Sequence, residues 1–213
     1  MKQLTPPLYH QTYLNVGDGP VVILLHGLFG NIAMWKSTVE ALKAKHRVVI
    51  PRLPIFDLPI EHTNVKYLAK VLHDFIDWHH FSNVTIVGHA IGGQLALLYS
   101  AEHPANVNRI VLTSSTGLFD HSPFTQGHSS GFNDLEFIQE KVQSAFYQPG
   151  NAPKALVEEV YSTVKSIPKR LTLGELSKSS GKNNVAPLLN KLSHPVLLIW
   201  GLDDKMTPPE VAL

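Results

Sequence analysis

The stretch IVGHAIGGQLALLYS, Ile86 to Ser100, joins a short apolar run to a longer one through Gly88-His89-Ala90-Ile91-Gly92-Gly93. The first run is rich in valine and isoleucine and reads as a strand buried on both faces, whereas the second has the length of a helix. A reversal this abrupt crowds the residue at its apex. Glycines at 88 and 92 relieve the crowding, and Gly93 lets the helix approach the strand. The helix begins directly beneath the apex, so its unpaired N–H groups point toward whatever the apex presents. The spacing therefore predicts a strained apex with positive φ, built to display one side chain. That side chain is the methyl group of Ala90.

Working outward, the same kind of run recurs in PVVILLHG, HRVVIP, VNRIVLTS and HPVLLIWG, each bounded by turn residues. Helical patterns separate them at Met34–Lys45, Val65–His79 and Gly92–His103. In the second of these, Leu68, Val71, Leu72, Phe75 and Ile76 form one apolar stripe. Strand and helix in alternation predict an α/β fold with a mostly parallel, doubly wound sheet. An initial hairpin is expected within Leu8–Val16. Between Ser114 and Leu192 the alternation stops, and helical patterns stand at Leu135–Phe146, Lys154–Lys165 and Val185–Leu192. Residues 1–114 and 193–213 are thus expected to form the core, with 115–192 a helical lid inserted at one edge.

Composition narrows the function classes. A chain of 213 residues, 44% hydrophobic and 16% charged, is long enough and apolar enough to bury a core. Its net charge of +1 provides no electrostatic footprint for nucleic acid. Cysteine is absent, which excludes disulfides and a thiol nucleophile. The N-terminus lacks the apolar core of a signal peptide, and no run approaches the ~18 residues of a membrane span. A cytoplasmic protein without a membrane span is expected. The histidines are scattered, with no metal-ligating spacing, so neither a metal nor a cofactor is expected.

Two further motifs follow strands in order. LLHGLFG, Leu24–Gly30, succeeds the first core strand, and WGLDDKMTPP, Trp200–Pro209, succeeds the last. Together with GHAIGG, and at these spacings, they resemble the α/β-hydrolase superfamily in its lid-bearing esterase and carbon–carbon hydrolase branch. In that family an elbow serine attacks an acyl carbon, a histidine takes its proton and an aspartate orients the histidine. The resemblance implies that Ala90 stands at the nucleophile position and that Asp204, rather than Asp203, is the triad acid. It further implies an oxyanion hole made by the backbone N–H groups of Leu28 and Ile91, with His26, Phe29 and His89 about the binding site. A small-molecule ester or related acyl compound is the implied substrate.

The sequence departs from the pattern at three places. Alanine replaces the serine. The chain stops at Leu213, ahead of the segment expected to carry the triad histidine. PRLPIFDLP, Pro51–Pro59, stands where relatives carry an aspartate and a Gly-x-Gly turn, which predicts a stiffer loop. His26 and His89 read as structural residues of their motifs, leaving His121 and His128 as the histidines that would overhang the site. Ser114 and Ser115 read as ordinary strand termination. Phe124, Phe132, Phe137, Phe146 and Tyr147 fit a lid core as well as a pocket lining. Three readings follow: a hydrolase that is inactive as written, a binding protein that kept the pocket, and an interaction module docking through an exposed sheet edge. Substrate identity and oligomeric state are not encoded in any of these motifs.

Overall fold

The computed structural model describes residues 12–30, 32–118 and 134–212, and the apolar runs of the sequence are its strands. They are β1 (Tyr13–Val16), β2 (Val21–Leu25), β3 (Arg47–Pro51), β4 (Val84–His89), β5 (Val107–Thr113) and β6 (Val196–Ile199), in one sheet of order β1-β3-β2-β4-β5-β6. The five strands from β2 to β6 are parallel, as doubly buried runs joined by helix-length crossovers should be. β1 pairs antiparallel with β3, Tyr13 opposite Pro51 and Val16 opposite Val48, rather than with β2. The first part of the expected Leu8–Val16 hairpin lies outside the described residues.

Alternation along β2 and β3 divides the core between the two faces. Val22, Leu24, Val48 and Ile50 pack with Trp35 and Val39 on one face, while Ile23, Leu25 and Val49 join the larger cluster on the other. The first face is covered by a 3-10 turn, Ile32–Trp35, leading into α1 (Lys36–Leu42). This helix is shorter than its sequence pattern. The Lys45 and His46 amides both fold back onto the Leu42 carbonyl, at 3.0 Å each, so that the chain can enter β3.

The second face carries α2 (Val65–Trp78) and α3 (Ile91–Glu102). α2 starts where the Asn64 side chain accepts from the Tyr67 amide at 2.9 Å, and its apolar stripe is buried as expected. α3 is buried at every residue from Ile91 to Ser100, which explains why it is apolar all round rather than amphipathic. Ser100 is accommodated by donating its hydroxyl back to the Ala96 carbonyl at 2.7 Å.

Between β5 and β6 lie α4 (Leu135–Gln143), α5 (Lys154–Lys165) and α6 (Ile167–Lys182). α6 is absent from the sequence reading, because its residues carry no helical periodicity and Pro168, Gly174 and Gly181 read as breakers. Pro168 sits in the first turn, where no backbone donor is needed, and Leu173 and Leu176 bury the helix instead. The helix expected at Val185–Leu192 is a 3-10 helix, Ala186–Lys191. Ile138, Val160, Val164 and Leu173 form a separate small core, against which Leu28, Phe29, Phe56 and Phe137 pack. Tyr147 is 84% exposed and packs in no core among the described residues.

β6 corrects one expectation. Its sequence is that of a doubly buried strand, yet Val196, Leu197, Leu198 and Ile199 retain 42, 56, 43 and 52% exposure. The strand pairs only with β5, and neither of its faces is covered among the described residues. No helix among them is long and apolar enough to cross a membrane.

Candidate active site

From β2 the chain passes to β3 on one side and later to β4 on the other, so the strand order reverses between β2 and β4. Open α/β sheets bind ligands in the crevice beyond such a point, at the carboxyl ends of the strands. Two of the sequence motifs meet there: the loop His26–Gly30 after β2, and His89-Ala90-Ile91 after β4.

Ala90 has φ 51° and ψ −120°. Its N–H donates to the Thr113 carbonyl at 3.1 Å, and its carbonyl accepts from the amides of Gly93, Thr116 and Gln94 at 2.9, 3.2 and 3.3 Å. The backbone is therefore clamped from both sides. A Cβ on Gly88 would fall on the Gly92 carbonyl and Gly93 Cα, and one on Gly92 would lie 2.5 Å from the Leu25 oxygen. Only glycine fits at either position, so the reversal is a property of the chain and not of the side chain at its apex.

The loop after β2 is closed by the Gly30 amide, which donates to the Gly27 carbonyl at 3.1 Å. It comes so near the apex that a Cβ on Gly27 would stand 3.3 Å from the Ala90 Cβ. Among the described residues, neither the Leu28 nor the Ile91 amide has an acceptor. Two open N–H donors beside the start of a twelve-residue helix suit a carbonyl oxygen or an oxyanion. The methyl group of Ala90, by contrast, has no nucleophilic atom to bring to it.

His26 is buried and fully engaged. Its Nδ1–H donates to the Gly27 carbonyl at 2.8 Å, and its Nε2 accepts from the Leu53 amide at 3.2 Å, which ties the loop after β2 to the loop after β3. Burial lowers its pKa, a shift that the Gly27 hydrogen bond opposes and the Arg52 charge reinforces. His89 is held through its Nδ1, 3.1 Å from both the carbonyl and the hydroxyl oxygen of Thr113. Burial lowers its pKa as well, against the opposing effects of the Thr113 carbonyl and the Asp204 charge. His121 and His128 lie outside the described residues.

Asp204 faces inward while Asp203 is exposed. One carboxylate oxygen accepts from the Met206 and Thr207 amides, each at 2.9 Å, and the other from the Thr207 hydroxyl at 3.0 Å. Burial pushes its pKa up, but the nearby Ser114 hydroxyl and these three donors outweigh that and hold it below the usual aspartate value. Ser114 thus has a role that sequence reasoning did not find. Its φ of 46° marks the abrupt end of β5. Ser115 is buried, and its hydroxyl donates to the Thr116 carbonyl at 3.1 Å.

Beside the crevice is a cavity of about 280 Å³. It is bounded by His26, Leu28 and Phe29, by the Arg52–Asp57 loop, by Glu159–Thr163 of α5 and by Lys169 of α6. Phe29 and Leu28 are therefore shared between this cavity and the small core of the intervening helices. Within PRLPIFDLP, Leu53 and Ile55 are buried and Arg52 pairs with Asp57 at 3.4 Å, so the loop is anchored without glycines. The sequence offered no signal for Arg52 or Lys169 at this cavity. For Gln94 it did offer one, a lone amide in an otherwise apolar helix.

The family model described as alpha/beta hydrolase fold matches residues 20–213. Among solved structures, an alpha/beta hydrolase enzyme, MGS-MChE2, from the metagenome of sediments from the lagoon of Mar Chica, Morocco, is 30% identical with a TM-score of 0.74. That similarity covers 94% of this chain and 76% of the other. A 2-hydroxy-6-oxo-6-phenylhexa-2,4-dienoate hydrolase from Comamonas testosteroni is 23% identical over 97% of this chain and 78% of its own length. An uncharacterized protein of Mycobacterium tuberculosis is 29% identical over 113 residues, 52% of this chain, and the match spans only 33% of that relative's length.

Proposed function

Because this chain belongs to the alpha/beta hydrolase fold family, we propose that it is a serine-hydrolase scaffold whose crevice binds the carbonyl of a small ester or related acyl compound, and that with alanine at position 90 it does not turn that compound over. In this reading Leu28 and Ile91 supply the oxyanion-binding amides, Asp204 is the acid of the triad, and α4 to α6 form a lid over the cavity. The observation that carries it is the clamped, positive-φ apex at Ala90 beside two amides without acceptors. A carbonyl oxygen seated on those amides would place its carbon near residue 90, where a serine hydroxyl could attack it and the developing negative charge would meet donors already oriented toward it. Asp204, held ionised, would stabilise a protonated base formed during that step. The similarity to a 2-hydroxy-6-oxo-6-phenylhexa-2,4-dienoate hydrolase of Comamonas testosteroni supports a hydrolase acting on a small molecule.

A second reading is favoured by the alanine itself: a binding protein that holds an acyl ligand and performs no chemistry. One experiment separates the two. Ala90→Ser alone should raise p-nitrophenyl acetate hydrolysis little, because serine without a base is a weak nucleophile near neutral pH. With imidazole added as a diffusible base, the variant should exceed the parent at the same imidazole concentration by about tenfold or more, less than the roughly 10²–10⁴-fold of a general base held in position. Equal rates at every imidazole concentration, together with measurable binding of the ester, would favour the binding protein. A product burst from the parent stoichiometric with protein would overturn both readings, since it requires a nucleophile other than residue 90.

A further inference from the structure

The chain leaves the sheet after β5 and returns to it before β6, and both crossings converge on one side chain. Gln94 lies in the first turn of α3 and is 0% exposed. Its Nε2 donates to the carbonyls of Ser180 and Asn183, at 3.0 and 2.8 Å, where α6 ends. Its Oε1 accepts from the Ser180 hydroxyl at 2.6 Å and, at a longer 3.4 Å, from the Thr116 hydroxyl on the outgoing crossing. Both amide hydrogens and both carbonyl lone pairs are therefore in use. Gly117, with φ 85°, packs so tightly on the Gln94 amide that a Cβ there would overlap it, and the Val185 amide donates to the Gly117 carbonyl at 2.7 Å. The two crossings are thus bonded to each other as well as to Gln94.

We propose that Gln94 is a positioning residue that latches the neck of the α4–α6 segment to the helix carrying the apex, and so sets how that segment stands over the cavity. This rests on the reading of the segment as a lid. α6 connects the latch to the cavity. Its C-terminal end is held at Ser180 and Asn183, and its N-terminal end carries Lys169 at the cavity rim. At 1.5 Å per residue, Lys169 stands roughly 20 Å from Lys182 along the helix, so a tilt of about 5° at the neck moves the rim by about 2 Å. A buried amide with fully paired donors and acceptors resists such a tilt, because any rotation of α6 breaks bonds that water cannot replace. Other ties keep the segment folded when the latch is cut. The Val65 amide donates to the Ser179 hydroxyl at 3.0 Å, and Leu176 and Val185 remain in the main core.

The test uses Gln94→Leu, which keeps the bulk and removes every polar atom, and the milder Ser180→Ala in case the first fails to fold. Because the chain has no cysteine, spin labels can be attached at Glu40→Cys on α1 and Lys169→Cys on α6 without other changes. In the parent the distance distribution between them should be narrow. In Gln94→Leu it should broaden or shift by several ångströms, and amides 183–185 should exchange with deuterium at least tenfold faster while Ile23 and Ile86 in the sheet keep their protection. Ser180→Ala should show the same pattern more weakly. An unchanged distance distribution, or exchange that accelerates equally in the sheet and at 183–185, overturns the latch. Neither readout involves hydrolysis, so this result stands apart from that of the Ala90→Ser experiment.

Discussion

At φ 51° and ψ −120°, Ala90 occupies a backbone region that L-residues avoid because the Cβ crowds neighbouring backbone atoms. Such conformations cost of order 1–3 kcal/mol and persist only where the surroundings over-determine them. Here the four backbone hydrogen bonds of Ala90 and the close packing at Gly88 and Gly92 do so. Ala90→Gly should therefore stabilise the protein, the relieved strain exceeding the roughly 0.5–1 kcal/mol that glycine adds to the entropy of the unfolded chain. A urea midpoint below that of the parent would show that the apex is less strained than its dihedral angles imply. The same scale explains His26. With both ring nitrogens bonded, to Gly27 and Leu53, it holds two loops together and has no lone pair left for proton transfer.

Among the elements, β5 and β6 are adjacent and similar in sequence but differ in what surrounds them. Ile110 in β5 is 0% exposed, whereas Leu197 in β6 is 56% exposed. Ile110→Ala should cost about 2–5 kcal/mol through lost transfer energy and the cavity left behind. Leu197→Thr, which puts a β-branched residue of good strand propensity on an open face, should change stability by less than about 0.5 kcal/mol. Denaturant midpoints of the two variants measure this directly, and comparable losses would mean that β6 is covered in solution. α6 makes the complementary point. It exists because Leu173 and Leu176 find partners, although its own sequence carries little helical signal.

For the molecule as a whole, pH dependence is set by buried rings. His26, His89 and His103 all have lowered pKa values, in each case chiefly because burial disfavours the charged imidazolium; for His103 the neighbouring His73 adds to this and Glu102 opposes it. In the unfolded chain these histidines take up protons near pH 6.5, while in the folded state they remain neutral to lower pH. Between those limits the unfolded state binds more protons, so stability is complete above about pH 6.5 and declines as pH falls through the folded values. Asp204, lowered in the folded state, adds a further loss only as pH drops below about 4, the ordinary aspartate range. Urea midpoints should therefore hold nearly level from pH 7.5 to about pH 6.5 and decrease from there to pH 5; a profile flat throughout would contradict the burial of these rings.

Local pattern alone determined a great deal. Alternation of apolar strands and helices is written in consecutive residues, and so are the glycines of the elbow, the alanine at its apex and the two loops that flank it. These features depend on steric limits within a few residues, which any chain with those letters must obey. Tertiary structure decided the rest, because it depends on partners far away in sequence. Val196–Ile199 reads as a core strand and lies exposed, since burial belongs to neighbours and not to the run itself. Ser114 becomes a partner of Asp204 only when β5 and β6 lie side by side. Gln94 meets Ser180 and Asn183 across separations of 86 and 89 residues, a contact that no local periodicity encodes.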